Sequence, residues 1–285
     1  MRAAPVVVRN DRRSSPQRPS TPFVRTSDKN FKIQTMSRTV LLHYHLFKNA
    51  GTSLDEVLKH NFGAGWVTRE FERRATALHR KEIAQWITDT PAAQAFSSHT
   101  LEAPPPAIPD VKVVPLIFIR HPLDRIASAY AFERKQGVNA GFGAALARYT
   151  TLEGYIAVRM AIPRDRQCRD FHIERLAMMA PDETGTEQER AMSVLNALPF
   201  VGIVEDFGGS MSRLAALCRR DFPSFKPRTV AANVSREHSR PLEQKLADLQ
   251  QEIGADLYQQ LEVANAADLA LYQTALKRAG AAPTV

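Results

Sequence analysis

Residues 39–53, TVLLHYHLFKNAGTS, decide the fold. The run 39–47 is dense in β-branched, aromatic and aliphatic residues without strict alternation, as expected of a strand buried on both faces in a parallel sheet. Residues 48–51 (KNAG) form a turn, and residues 52–61 have helical character. A strand that enters a tight turn and opens a helix aims the first backbone N–H groups of that helix at one point. The helix dipole adds partial positive charge there, so the geometry suits a phosphate or sulfate group. Lys48 adds a full charge, and Thr52 and Ser53 add hydroxyl donors. Taken alone, Gly51 is also consistent with a plain turn and Thr52 with an N-cap. The pattern is not a Walker signature, whose lysine follows the last glycine, because here Lys48 precedes Gly51.

Outward from this stretch, apolar runs alternate with helical segments. Residues 70–86 are amphipathic and read as a helix, and residues 95–99 as a short strand followed by the loop Pro104-Pro105-Pro106. Residues 111–119 (VKVVPLIFI) form a second buried strand, with Pro122 in the first turn of the next helix, where proline is tolerated. Helices are expected over 141–159, 166–179 and 208–218, and a third strand over 200–205. Residues 241–277 read as helical, with turns near Gly254 and Asn265. The order predicts an α/β, P-loop-like three-layer fold: a central parallel sheet flanked by helices, with a helical C-terminal part. Residues 36–285 read as a single domain without internal repeats.

The 285 residues are 44% hydrophobic and 24% charged, which excludes wholesale disorder, collagen and coiled coil. No run approaches the roughly 18 apolar residues of a membrane span, so no transmembrane segment is expected. Cys168 and Cys218 provide no disulfide framework; they read as ordinary buried thiols in a reducing, cytoplasmic setting. The net charge of +8 is unevenly spread. Residues 1–35 hold eight basic and two acidic residues, a surplus of six, whereas the remainder holds 30 and 28, a surplus of two. The nearly neutral globular part argues against a nucleic-acid partner. The Arg-, Ser- and Pro-rich leader 1–35 buries too little apolar surface to offset ordering and reads as disordered. Met36, just before the first strand, reads as the natural start, which would leave the leader out of the native protein.

A second constellation is Phe118-Ile119-Arg120-His121-Pro122-Leu123-Asp124-Arg125-Ile126-Ala127-Ser128-Ala129-Tyr130. Arg120 falls at the carboxyl end of a buried strand, the edge at which open α/β sheets bind ligands. Ser128 follows about two helical turns later, so both side chains can face one anion. Arg125 is expected in an intrahelical or cap interaction, and Tyr130 in packing. His43 and His45 alternate on one strand and share a face, the start of a metal pair. No third ligand is apparent, so packed or hydrogen-bonded histidines are expected. Arg159, Arg164, Arg166 and Arg169 read as a solvated charged face.

Together the two constellations resemble the paired nucleotide signatures of sulfotransferases that use 3′-phosphoadenosine-5′-phosphosulfate (PAPS). The likeness is to the carbohydrate branch related to heparan sulfate 2-O-sulfotransferases and their bacterial relatives. That family carries a Pro-Lys-Thr-Gly-Gly-Thr-Ser-like loop and an Arg-Asp-Pro-x-x-Arg-x-x-Ser-x-Tyr-like segment. Residues 200–207 (FVGIVEDF), Asn233-Val234-Ser235 and a helical tail through Tyr272 follow in the family order, so the resemblance spans about residues 39–277. Phe47 stands for the family's proline, Asn49-Ala50 for Thr-Gly and His121 for the aspartate. The resemblance implies PAPS as donor, 3′,5′-adenosine bisphosphate (PAP) as product and a saccharide or other hydroxyl-bearing acceptor, with no metal required. It assigns Lys48, Asn49, Ala50, Gly51, Thr52 and Ser53 to the 5′-phosphosulfate, and Arg120, Ser128 and Ser235 to the rest of the donor site. It makes Lys48 the catalytic cation at the bridging oxygen and His99 the base. A P-loop kinase is the alternative enzyme, disfavoured by the position of the lysine and by the lack of a magnesium-binding aspartate after a strand. A non-catalytic nucleotide or nucleic-acid binder is the alternative of another class, disfavoured by the neutral core and the lack of an aromatic–basic sheet pattern.

Overall fold

The computed structural model describes residues 38–180, 182, 184–227 and 240–280. The leader 1–35, Met36 and Ser235 lie outside the described residues. Four strands, β1 (Arg38–Tyr44), β2 (Trp66–Thr68), β3 (Ala95–Ser98) and β4 (Val111–Leu116), form a parallel sheet in the order β2-β3-β1-β4. A further parallel pair joins β5 (Phe118–Ile119) to β6 (Gly202–Ile203). Between β4 and β5 lies only Ile117, whose carbonyl accepts the Gly202 N–H at 2.9 Å. The run 111–119 therefore pairs first with β1 and then with β6, which is why it reads as one buried strand. Pro115, which has no N–H to give a ladder, sits two residues before the change of partner.

Eleven α-helices surround these strands among the described residues: α1 (Gly51–Phe62), α2 (Thr76–Asp89), α3 (Pro122–Lys135), α4 (Phe142–Tyr149), α5 (Leu152–Ala161), α6 (Phe171–Ala177), α7 (Glu187–Ala197), α8 (Phe207–Cys218), α9 (Leu242–Ile253), α10 (Ala255–Ala264) and α11 (Ala266–Ala279). The alternation of side chains along β1 divides the core. Val40, Leu42 and Tyr44 pack with Ile83, Trp86 and Ile87 of α2 and with residues of α6, α7 and α11. Leu41 packs on the opposite face with Leu54, Val57 and Leu58 of α1 and with Met211 and Leu214 of α8. A third cluster joins Leu123 and Ile126 of α3 to Tyr155 and Ile156 of α5 and to α9 and α10. The result is the three-layer α/β arrangement that the strand–helix order implies.

Several boundaries differ from the sequence reading. The helix expected from residue 70 begins only at Thr76, because Glu70 turns its carboxylate to the end of β3 and Phe71 N–H donates to Thr100 Oγ1 at 2.6 Å. The helix expected over 141–159 is interrupted before Leu152, where Thr151 accepts the Gly154 N–H as an N-cap. The next begins at Phe171 rather than 166, and the third expected strand pairs only over Gly202–Ile203. Neither β2 nor α7 was expected, although α7 carries a capping box, Thr186 with Glu189. The C-terminal helices break at Gly254 and Asn265 as expected. Among the described residues no helix is long and apolar enough to cross a membrane.

Candidate functional site

All these strands are parallel, so the segments that leave their carboxyl ends lie along one edge. β1 delivers the loop 45–50, β2 delivers Glu70, β3 delivers His99, β5 delivers Arg120 and His121, and β6 delivers Glu205.

The loop after β1 is strained and firmly held. Lys48 and Ala50 take left-handed backbone conformations, φ 63° and 56°, each at a cost of about 1–2 kcal/mol for a residue with a Cβ. Asn49 between them is buried, and its Nδ2 donates to the Phe47 carbonyl at 3.0 Å. That bond turns Asn49 Oδ1 toward His172 Nε2, 2.8 Å away, while His172 Nδ1 lies 2.9 Å from Asp268 Oδ2. Both imidazole nitrogens thus face oxygen atoms, and the ring is held at both edges, by Asn49 and by a buried carboxylate. Burial alone would raise the Asp268 carboxyl. The electrostatic pull of His172 and the hydrogen bonds from His172 and Ile173 outweigh it and hold the group below the usual carboxylate range. Through this chain α6 and α11 clamp the turn, and Ala50 occupies a conformation that glycine would adopt more easily. In the sequence His172 shows no ligand spacing and Asp268 only opens the tail segment Asp268–Tyr272, and their link to Asn49 is not legible because they lie far from it along the chain.

Gly51, Thr52 and Ser53 open α1, where backbone N–H groups have no carbonyl one turn earlier within the helix. The Lys48 ammonium lies 4.6 Å from the centroid of the Phe132 ring, a cation–π contact. The second constellation meets the first here, because Arg120 Nη1 donates to the Lys48 carbonyl at 3.4 Å. Arg120 is buried, and its Nε donates to Asp124 Oδ2 at 2.6 Å. Burial pushes the Asp124 carboxyl up, but the Arg120 charge and hydrogen bond outweigh it and keep it below the usual range. Arg120 and Ser128 line one cleft of about 320 Å³, as their spacing predicts, together with Asp124, Tyr130, Arg240 and Lys245. Lys245 Nζ lies 3.6 Å from Asp124 Oδ2, and Arg240 pairs with Asp248. These two cations come from the C-terminal part, and no local motif marks them.

Arg125 departs from its expected intrahelical role. It is fully buried, donates to Gln167 and stacks its guanidinium 4.1 Å from the centroid of Phe171, tying α3 to the segment before α6. Arg159 likewise is buried rather than solvated, paired with Glu133 and Asp165. Tyr130 packs as expected, its ring 5.3 Å from that of Tyr155. His121 donates its N–H to Glu205 Oε1 at 2.8 Å, and burial pushes its imidazole down to about 4.

His99 is exposed at the end of β3, and its Nδ1 lies 2.7 Å from Glu70 Oε1. Glu70 also accepts the His99 N–H at 3.1 Å and the Thr100 hydroxyl at 3.0 Å. Partial burial pushes the Glu70 carboxyl up, but these hydrogen bonds outweigh it and hold it below the usual range. With Nδ1 committed to a carboxylate, Nε2 is the nitrogen offered to a substrate proton. Glu70 escaped the sequence reading because it was assigned to a helix.

His43 and His45 do share a face, and the residue between them in space is Asp55 of α1. Its Oδ1 and Oδ2 lie 2.8 Å from His43 Nδ1 and His45 Nδ1 respectively. The three donor atoms lie within 4.8 Å of one another, a set whose composition could hold a divalent cation. Each is already engaged in hydrogen bonds inside the cluster, with Ser97 Oγ 2.9 Å from His43 Nδ1 as well. The signal for Asp55 was its place one turn into the helix that doubles back on β1.

The edge therefore brings together the Lys48 turn, a cleft lined by Arg120, Arg240 and Lys245 and by Asp124, Asp248 and Glu252, and an imidazole oriented by a carboxylate. Such a set can hold a ligand carrying two separated anionic groups and take a proton from a hydroxyl next to one of them. No family model matches the chain. An uncharacterized protein of Archaeoglobus fulgidus is 39% identical over 243 residues, covering 84% of this chain and 96% of its own length.

Proposed function

The chain belongs to one family with that archaeal protein, and we propose that it is a sulfotransferase acting in a reducing, cytoplasmic setting. Its donor substrate is PAPS, and its acceptor is a hydroxyl of a saccharide or glycoconjugate. The observation that carries this reading is the hydrogen bond from Arg120 to the Lys48 carbonyl. It joins the turn and the cleft at one edge, as a nucleotide with a 5′-phosphosulfate and a 3′-phosphate requires.

In the reaction the acceptor oxygen forms a bond to sulfur as the bond from sulfur to the bridging oxygen breaks in line. The electron pair stays on the 5′-phosphate of PAP, and the acceptor proton passes to His99 Nε2. Lys48 donates to the bridging oxygen as negative charge grows there, while the N–H groups of Gly51, Thr52 and Ser53 hold the transferring group. Arg120 and Ser128 bind the 3′-phosphate and fix the donor's orientation. Glu70 holds the ring of His99 in the tautomer with a free Nε2 and stabilises the imidazolium that forms. None of these tasks calls for a metal ion.

Calorimetric titration with PAP in the presence of EDTA, with AMP as the control, tests the proposal. Tight binding that AMP does not match is expected, followed by transfer of labelled sulfate from PAPS to a saccharide hydroxyl. Equal affinity for both nucleotides, or a preference for ATP with magnesium, would overturn it.

A further inference from the structure

We infer that His45 is a positioning residue that fixes the base His99 against the Lys48 turn, an inference that rests on the sulfotransferase reading. His45 touches both halves of the machinery. Its ring centroid lies 3.9 Å from that of His99, with the planes inclined by 32°. Its opposite commitment is to the turn: a Cβ placed on Gly51 would lie 2.0 Å from His45 Cδ2, so the imidazole fills the space beside the first residue of α1. The main chain adds a third link, because His45 N–H donates to the Ser98 carbonyl at 3.0 Å, immediately before His99.

The His45 ring is itself immobilised. Nδ1 lies 2.8 Å from Asp55 Oδ2, and the ring stacks on that of His43 with centroids 5.1 Å apart. The other Asp55 oxygen is held by His43. Burial alone would raise the Asp55 carboxyl, but hydrogen bonds from the two histidines and Ser97 outweigh it and keep it ionised far below the usual range. A carboxylate that holds two imidazoles at once fixes the His45 plane. Glu70 fixes the edge of His99 and His45 fixes its face, so the base cannot tilt away from the donor loop. Transfer reactions are sensitive to such placement, with a displacement of about 1 Å costing about 100-fold.

The test compares His45→Asn, whose amide can still bond Asp55 but presents no ring to His99, with His45→Phe, which keeps a ring and loses the Asp55 bond. PAP affinity is expected within about twofold of wild type in both, since neither substitution removes a group proposed to bind PAP, while kcat falls about 10- to 100-fold in His45→Asn and less in His45→Phe. In a His99→Ala background, His45→Asn is expected to cost nothing further, because it acts only through the base. A full additional loss in that background, an unchanged kcat, or a loss confined to PAP affinity would each overturn the inference and leave the sulfotransferase reading standing. Failure of the wild-type protein to bind PAP would remove both. Should neither variant fold, His45 is a core residue and the positioning role is wrong.

Discussion

Two histidine–carboxylate pairs flank the same loop and are built in opposite ways. In His99–Glu70 the nitrogen-to-oxygen distance is 2.7 Å and the side chains are 59% and 50% exposed. In His172–Asp268 the distance is 2.9 Å and both side chains are fully buried. The carboxylate does the same work in each, turning an imidazole by its Nδ1. The other nitrogen separates them: His99 leaves Nε2 to a substrate, whereas His172 commits it to Asn49. An exposed pair can exchange a proton with what binds beside it. A buried pair whose two nitrogens are both engaged serves as an anchor.

That contrast is breakable in four ways, from the largest effect to the smallest. His99→Ala is expected to lower turnover by about 10²- to 10⁴-fold while leaving PAP affinity and the thermal midpoint unchanged, as steady-state kinetics and a melting curve would read. Asp268→Ala should do the reverse. It leaves the buried His172 Nδ1 and the main-chain N–H groups of His172 and Ile173 without their acceptor, at about 1–3 kcal/mol of stability for each in urea titration, and PAP affinity falls with it as Asn49 loses its clamp.

His121 sharpens the comparison as a buried histidine whose Nδ1 has no hydrogen-bond partner among the described residues. Its imidazole is pushed from 6.5 down to about 4 by burial, against a smaller upward pull from Asp124. The unfolded chain takes up a proton below 6.5 that the folded chain refuses until about 4. Stability is therefore lost as pH falls through that window, by up to about 3 kcal/mol. Asp268, held below its ordinary value of 3.8, adds to the loss in the same direction only toward the lower end of the window, where the unfolded carboxyl begins to take up a proton. Denaturant midpoints at neutral pH and near the lower end of the window should differ in wild type, and the difference should be smaller in His121→Gln. The smallest effect on stability is expected of Glu70→Gln, within about 1 kcal/mol, with a loss of turnover because a neutral amide cannot balance the His99 imidazolium.

How far the sequence disclosed this site depended on how local each part is. The strand, turn and helix around Lys48 were readable because apolar density, a glycine and hydroxyl residues fall within fifteen positions. Arg120 and Ser128 were readable because helical spacing alone places them on one side. Asp55 was missed although it lies only ten residues from His45, because a helix that folds back on its strand brings together residues with no shared period. Glu70 was missed because an amphipathic pattern outweighed the hydrogen bonds that keep it in a loop. The His172–Asp268 anchor has no local signature, and Arg125 was misread because its partners sit on the segment before α6.

Gly51 carries a consequence for the history of the chain. Its glycine is demanded by a neighbour's ring rather than by its own backbone, since it is not among the residues with positive φ. Positions 45 and 51 are therefore free to change only in concert. A descendant that gains a side chain at 51 must first shrink the residue at 45, and by doing so it gives up the surface against which His99 rests. Lineages in which position 45 is small should be the ones where position 51 drifts to alanine or serine. In those lineages the base should have moved elsewhere along the same edge.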